Sequence, residues 1–379
     1  MNIKTTLKTS VAAAALFAIA APVATPASAD IANGNKNKLV VSGQVVRALY
    51  YADDGTQEQL FNSTGNTANT RVRWVASGTL NENVTAGALI EFDVQTSNTG
   101  GSFAAGSGSD TDIDKTNWSI RHQYIWVNHK QFGKVSLGAT DAAANGYTEF
   151  TLAGVGGIST PSNVWTGGGI QFINTATGIA TTISPGTVLS NLDFTSRTDV
   201  IRYDTPDFKG FGLSASLDGS GGGEVGGKYT GKIGPVNLIA AIGYSELSSK
   251  GNNDYNLAGS IAARHESGIN ASFHIGKIEA DSNVANRKNQ NFWAASLGYQ
   301  AKVFKTGGTN MRAVYNQSRH IGVNGDDAQS WGIDVQQSFD AIGASLTLVY
   351  RNYEYENNRI GHTAIDSIDV IGLQAAFNF

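Results

Sequence analysis

Hydrophobic and polar positions alternate residue by residue through most of this chain. Over 84–95, Val84, Ala86, Ala88, Ile90, Phe92 and Val94 fall on one face, while Thr85, Gly87, Glu91, Asp93 and Gln95 fall on the other. Over 71–80, Val72, Trp74, Ala76 and Leu80 oppose Arg71, Arg73, Ser77 and Thr79. Over 117–127, Trp118, Ile120, Tyr124 and Trp126 oppose Asn117, Ser119, Arg121 and Gln123. Ile371, Leu373, Ala375, Phe377 and Phe379 alternate in the same way with Gly372, Gln374, Ala376 and Asn378. Side chains two apart share a face only in an extended strand, so each stretch predicts a strand with one apolar and one polar surface. Sixteen such segments follow one another, near 38–52, 70–80, 84–96, 116–129, 133–140, 198–205, 211–218, 224–231, 236–247, 255–265, 269–280, 290–301, 310–318, 328–338, 343–356 and 364–379. Helical spacing is missing throughout.

The connections alternate too. Short turns fall at 81–83, 130–132, 206–210, 232–235, 266–268 and 339–342. Longer Gly-, Asn-, Ser- and Asp-rich stretches fall at 53–69, 97–115, 141–197, 281–289, 319–327 and 357–363. An even strand count, with short turns at one end and long loops at the other, is the pattern of an outer-membrane barrel. The connection at 301–309 is long for its side. A soluble sandwich would also have one-sided strands, but its outer faces would carry the charge. Here the polar faces hold the Arg, Glu and Gln. Tyr50, Tyr51, Trp126, Tyr203, Phe208, Tyr299, Phe339 and Phe379 lie at strand ends, where aromatic girdles meet the membrane interface. The expected fold is all-β, a transmembrane antiparallel up-and-down barrel of sixteen strands. Ile170, Phe172, Ile179, Thr181 and Ile183 offer a further hairpin, which would make eighteen.

Composition fits that reading. Charged residues are 15% of the 379, against ~25% in ordinary soluble domains. Lipid-facing charge costs ~2–4 kcal/mol at the bilayer midplane, so a barrel exterior excludes it. Gly is abundant, at 45, with only 6 Pro. The absence of Cys removes disulfide scaffolds, thiolate metal sites and Cys nucleophiles. A formal charge of −4 argues against a nucleic-acid partner. At the start, Lys4 and Lys8 precede the apolar run 11–21, and Ala27-Ser28-Ala29 forms a small-x-small cleavage site. Residues 1–29 thus read as a secretory signal peptide, leaving 30–379 as the exported barrel. The apolar run is too short for a spanning helix.

Several local strings resemble Gram-negative trimeric outer-membrane general porins of the alphaproteobacterial type. Val41-Ser42-Gly43-Gln44-Val45-Val46-Arg47-Ala48, followed by Tyr51-Ala52-Asp53-Asp54-Gly55, is similar to their first strand and loop. Arg121 through Trp126, then Phe132-Gly133-Lys134-Val135-Ser136-Leu137-Gly138, resembles their fourth and fifth strands. Ile201-Arg202-Tyr203-Asp204-Thr205-Pro206, then Phe208-Lys209-Gly210-Phe211, resembles the sixth and seventh. Terminal Phe379, with Phe377 behind it, is similar to the signal read by the barrel-assembly machinery. The resemblance implies a homotrimer in the outer membrane, among its lipid and lipopolysaccharide. It also implies a third external loop, here 141–197, folded inward to narrow a water-filled pore.

Strand parity sets Arg71, Arg73, Arg121, Arg202, Arg264 and Arg351 on the lumen side. Asp141 and Glu149 on the inward loop, with Glu91 and Asp93 on the third strand, are the candidate opposing acids. Such an arrangement would hold a transverse field that admits small hydrophilic solutes and penalises apolar ones. The family often carries a basic residue just after the Gly of the fifth strand; this chain has Ala139-Thr140 there. Arg47 shares parity with Val45, Leu49 and Tyr51, so it points at lipid unless a bulge at Gly43 or a subunit interface intervenes. The six His form no HExxH, no GxSxG elbow occurs, and no Gly-rich loop precedes a helix, so no enzyme is expected. No cofactor is expected either. Asp53-Asp54, Asp110-Thr111-Asp112 and Asp326-Asp327 are candidate Ca²⁺ or lipopolysaccharide bridges, with solvated loop charge the preferred account. The reading is a porin for passive diffusion. A substrate-selective sugar or anion channel, or a plugged structural or adhesive barrel, are the alternatives.

Overall fold

The computed structural model describes residues 37–64, 69–97, 105, 112–156, 166–247, 252–284, 286–356 and 365–379, with backbone alone at 95–97 and 112–117. The signal peptide expected over 1–29 lies outside the described residues, as do Asp110, Thr111 and residues 157–165 of the long loop.

The wall begins with β1 (Lys38–Asp53), β2 (Glu58–Ser63), β3 (Arg71–Asn81), β4 (Val84–Ser97), β5 (Asp112–His129) and β6 (Gly133–Thr140). The short β7 (Ile173–Asn174) and β8 (Ile179–Ala180) lie in the loop that follows. The wall resumes with β9 (Thr198–Asp204), β10 (Phe211–Asp218), β11 (Gly223–Ile233), β12 (Val236–Glu246), β13 (Asn253–His265) and β14 (Ile269–Ala280). It ends with β15 (Gln290–Phe304), β16 (Gly307–Arg319), β17 (Asp327–Phe339), β18 (Ala344–Glu356) and β19 (Ile368–Asn378). Every wall pairing is antiparallel, and β1 pairs with β19 from Gln44↔Asn378 to Asp53↔Asp369, which closes the sheet. Closure leaves no unpaired edge, the requirement for strands in lipid.

Sixteen wall positions result, because β2 and β3 share one. β2 pairs with the upper part of β1, Asp53↔Glu58 to Ala48↔Ser63, and β3 with its lower part, Gln44↔Arg71 to Lys38↔Ser77. β2 thus corrects the loop expected over 53–69, since six residues are too few for alternation to stand out from loop sequence. The long connection expected at 301–309 is also corrected. β15 runs on to Phe304 and β16 starts at Gly307, with a register slip between Ala301 and Phe304. The two extra strands of the eighteen-strand alternative form as a hairpin, β7 on β8, but it lies off the wall. β6 pairs directly with β9, Lys134↔Asp204 to Thr140↔Thr198.

Alternation is inside out. On β1, Val46, Ala48 and Tyr50 are buried, while Val45, Leu49 and Tyr51 are exposed to the outside. Tyr50 therefore leaves the expected girdle for the interior. The register of β1 is unbroken at Gly43, so Arg47 faces outward and donates to Asn62 Oδ1 on β2 at 2.6 Å. On β5 the alternation does break. Glu91 pairs with His122 and Phe92 with Ile120, so Arg121 is an extra residue. A bulge of one residue flips every later side chain to the other face. Trp118 and Ile120 stay outside, but below the bulge it is Ile125 and Val127 that are exposed. Tyr124 and Trp126, expected toward lipid, face inward; the Trp126 ring fills the space over Gly87 on the polar face of β4.

The apolar core lies between the loop and the wall. Ile170, Phe172, Ile183, Val188 and Leu189 pack on Ala48, Tyr50, Phe61, Val349, Tyr353 and Val370. Ala144, Tyr147, Phe150 and Phe194 pack on Ile239, Ala258 and Ala262.

Candidate pore and its charged walls

The described parts of the connection, 141–156 and 166–197, lie inside the barrel and are pinned by inward polar side chains. At its base, Arg202 donates through Nη1 to the carbonyls of Asp141 (3.0 Å) and Ala142 (2.6 Å), while Nη2 holds Asp204 at 2.7 Å. Glu224 on β11 accepts from Ala144 N–H (3.3 Å) and Thr195 N–H (2.9 Å), so it grips the outgoing and returning arms together. Farther out, Ser260 donates to the Tyr147 carbonyl (2.6 Å), and His274 Nδ1 to that of Thr148 (2.8 Å). Gln300 donates to the Leu152 carbonyl (2.7 Å), and Tyr353 to that of Thr166 (2.7 Å). The return is held at Ser190 by Ser318 and at Leu192 by Asn256. These anchors run from β9 round to β18, and the hairpin region packs on to β1 and β2. The wall of β3–β6 receives none of them, and the open side of the lumen lies there.

The two arms also hold each other. Asp193 accepts from Gly146 N–H (2.7 Å) and Thr148 Oγ1 (3.0 Å), and Asn191 donates to Glu149 at 2.7 Å. Burial between the arms, with Asp193 beside it, pushes the Glu149 carboxyl up to about 8. Burial also raises Asp193, to about 6, against the hydrogen bonds it accepts. A carboxyl in poorly solvated surroundings favours its neutral form.

On the open wall, Arg71 and Arg73 stand directly across from Asp93 and Glu91. Glu91, fully buried, accepts from Arg73 Nε (2.5 Å), Arg121 Nε (2.8 Å) and Arg71 Nη1 (3.3 Å). Arg121 also reaches Asp93 at 3.6 Å. The bulge is what brings Arg121 into this group. Glu91 and Asp93 therefore stand within the arginine cluster, a correction to the expectation that they face it across the opening. Cross-strand register puts both signs on one wall. Arg73 keeps 42% of its side chain exposed, Arg71 24% and Arg121 15%. Asp141 and Arg197 at the loop base complete the group; the Arg197 N–H donates to Asp141 Oδ1 at 3.3 Å.

Arg351 is not with them. It is buried on β18, beneath the loop, where its Nη2 meets Asp334 at 2.8 Å. Arg312 on β16 meets the same carboxylate at 2.6 Å, and all three side chains are at most 1% exposed. Parity predicts the face of Arg351 but not the loop that covers it. Arg264 is half-buried near the turns and donates to Gln300 Oε1 at 2.7 Å.

With this geometry in place, residues 11–358 match the Gram-negative porin family. The chain belongs to that family. Solved structures agree in fold. An anion-selective porin from Comamonas acidovorans aligns at TM-score 0.59 and 13% identity, covering 91% of this chain and all of that one. OmpT of Vibrio cholerae, in a trimer form, aligns at 0.55 and 13%, covering 91% and 100%. A mutant of Rhodobacter blastica porin aligns at 0.52 and 14%, covering 90% and 100%. No curated protein matches the chain. The protein is an outer-membrane channel for passive diffusion, and its family is one of channels rather than enzymes.

Within this porin, a cavity of about 830 Å³ lies between the loop and the wall from β3 to β12, where Arg73, His122, Tyr124, Glu149, Arg202 and Lys228 face it. Arg312, Asp334, Asp193, Arg197, Lys134 and Lys228 were missing from the candidates. Parity was the available signal for those on strands, since Arg312 alternates in phase with buried Val314 and Asn316. Asp193 and Arg197 lie in irregular backbone, where no period exists. The described loop acids close their own turns. Asp54 accepts from Thr56 and Gln57 N–H, and Asp326 from Val323 N–H and Tyr355. Among the described residues no cluster of three or more metal-ligating side chains forms.

Proposed function

We propose that this porin sieves small hydrophilic solutes by size and charge at the passage between loop 141–197 and the wall of β3–β6. The carrying observation is the asymmetry of the loop's anchors. They line β9–β18 and leave uncovered the wall on which Arg71, Arg73 and Arg121 gather. Size exclusion comes from the anchored loop. Charge selection comes from the part-exposed guanidiniums, with Asp141 and Arg197 at the loop base. A fixed array of donors facing water admits solutes that can replace water's hydrogen bonds and excludes those that cannot. A plugged barrel is disfavoured by the cavity that runs beneath the loop along the uncovered wall.

The working unit in this reading is a homotrimer of residues 30–379, exported by the 1–29 leader. Arg47 paired with Asn62 on the outer face supports a protein contact there, since a guanidinium facing lipid is costly. Phe377 on the last strand and Phe379 just after it, both exposed, would be read by the barrel-assembly machinery. Lipopolysaccharide would meet the outer rim. Purified protein in planar bilayers should show ohmic single-channel steps in potassium chloride, arriving in threes. A barrel that inserts without conducting would overturn the proposal.

A further inference from the structure

Below the passage, toward the short turns, the inner wall carries a second group of charges with different surroundings. Lys134 on β6 lies directly across from Asp204 on β9, which lies across from Ser214 on β10. On the next strand, Lys228 stands across from Gly212. Asp204 is bonded to Arg202, and neither Lys134 nor Lys228 forms an ion pair among the described residues. Three cations thus surround one carboxylate, with Asp207 at the turn below capped by Gly210 N–H at 2.9 Å.

Rings flank both ammoniums. Lys134 Nζ lies 5.2 Å from the centre of Trp126 and 5.7 Å from that of Tyr124. Lys228 Nζ lies 6.0 Å from the centre of Phe150, on the underside of the loop. These distances place each ammonium over a ring face, where the quadrupole attracts it. The wall beside Lys228 is open. A side chain at Gly212 would meet nothing within 4 Å, whereas the space over neighbouring Gly226 is filled by Tyr147. Tyr124, Phe150, Gly212 and Lys228 all border the 830 Å³ cavity.

Resting on the channel reading, we propose that this patch is a subsite for organic monoanions with a flat apolar body, aromatic carboxylates being the class it fits. The carboxylate meets Lys228 within the positive field that Lys134 adds, the body lies in the open space over Gly212, and the Tyr124 and Phe150 rings flank it. Inorganic anions use only the charges, and neutral aromatics only the rings. A charge-assisted contact combined with ring packing exceeds either alone.

The test is blockade of single-channel potassium chloride current by benzoate added on the turn side, with acetate and benzyl alcohol as comparators. Benzoate should block at concentrations at least about five-fold below either comparator. Lys134→Gln with Lys228→Gln should weaken the block about ten-fold. Gly212→Trp, which fills the space and leaves every charge in place, should weaken it as much. Equal block by acetate and benzoate, or full block in both variants, would overturn the subsite. Chloride conductance without any benzoate block removes the subsite and leaves the porin standing. A protein that conducts no chloride removes both.

Discussion

Two guanidinium–carboxylate clusters sit on the inner wall, and they differ chiefly in what lies over them. On β3–β5, Arg71, Arg73 and Arg121 converge on Glu91. On β16–β18, Arg312 and Arg351 converge on Asp334. Both are built by direct cross-strand pairing, Arg73 opposite Glu91 and Arg312 opposite Asp334. The first faces the uncovered lumen, with its arginines part-exposed. The second lies under the anchored loop with no exposed side chain. The same residue types at the same strand parity therefore serve different ends. Water reaches the guanidiniums of the first cluster, which in the proposed sieve would act on passing solutes, whereas protein over the second makes its charges depend on one another.

That contrast predicts unequal costs of losing the central acid. Asp334→Ala leaves two buried guanidiniums without their shared carboxylate and should cost ~3–5 kcal/mol. Glu91→Ala removes a buried carboxylate but leaves arginines that water can partly reach, and should cost less, ~1–3 kcal/mol. Guanidinium chloride unfolding of both variants checks this; equal losses would break the distinction.

A smaller effect should appear in selectivity. Replacing Arg71, Arg73 and Arg121 with Ala should raise the potassium-to-chloride permeability ratio roughly two- to five-fold, through loss of the field at the opening. Arg351→Gln should leave the ratio unchanged, because that charge never meets the solute path. Reversal potentials in a salt gradient measure both. No shift in the triple variant would remove those arginines from the passage.

The smallest effect concerns the loop arms. Glu149 is held near 8, far above the ordinary carboxyl range, so the native loop keeps a proton that the unfolded chain has lost. Native structure then binds more protons than the unfolded chain between about pH 4 and 8, and the stabilisation from this group falls as pH rises across that window. Above pH 8 an ionised Glu149 sits beside ionised Asp193. Open-channel current noise should rise between pH 7 and 9, and Glu149→Gln should abolish the rise.

Much of the barrel was legible because a strand in lipid obeys a two-residue period with little freedom. Where the period was sustained, as on β3, β4 and β19, the faces followed. It misled on β5, since nothing in 117–127 marks Arg121 as an extra residue, and the inward turn of Tyr124 and Trp126 depends on it. Both the place of Arg121 beside Glu91 and the rings of the patch on the turn side rest on that one bulge. The pore's selectivity was less legible than its wall, because it depends on what the loop covers. Tyr353 bonding to Thr166, or Ser318 to Ser190, joins residues far apart in sequence through irregular backbone that carries no period.

One contact at the seam has a consequence for how the molecule is made. Gly43 and Phe379 exchange both backbone hydrogen bonds, at 2.8 and 3.0 Å, and the Phe379 ring lies where a side chain on Gly43 would stand. The two strands that seal the cylinder come from opposite ends of the described chain, so the last of it must arrive before the first is satisfied. Until then the growing sheet has two raw edges, each able to recruit a stranger. Pairing at such long sequence separation is also slow. Until the seam closes, any neighbour that offers a free strand competes with the chain's own far end.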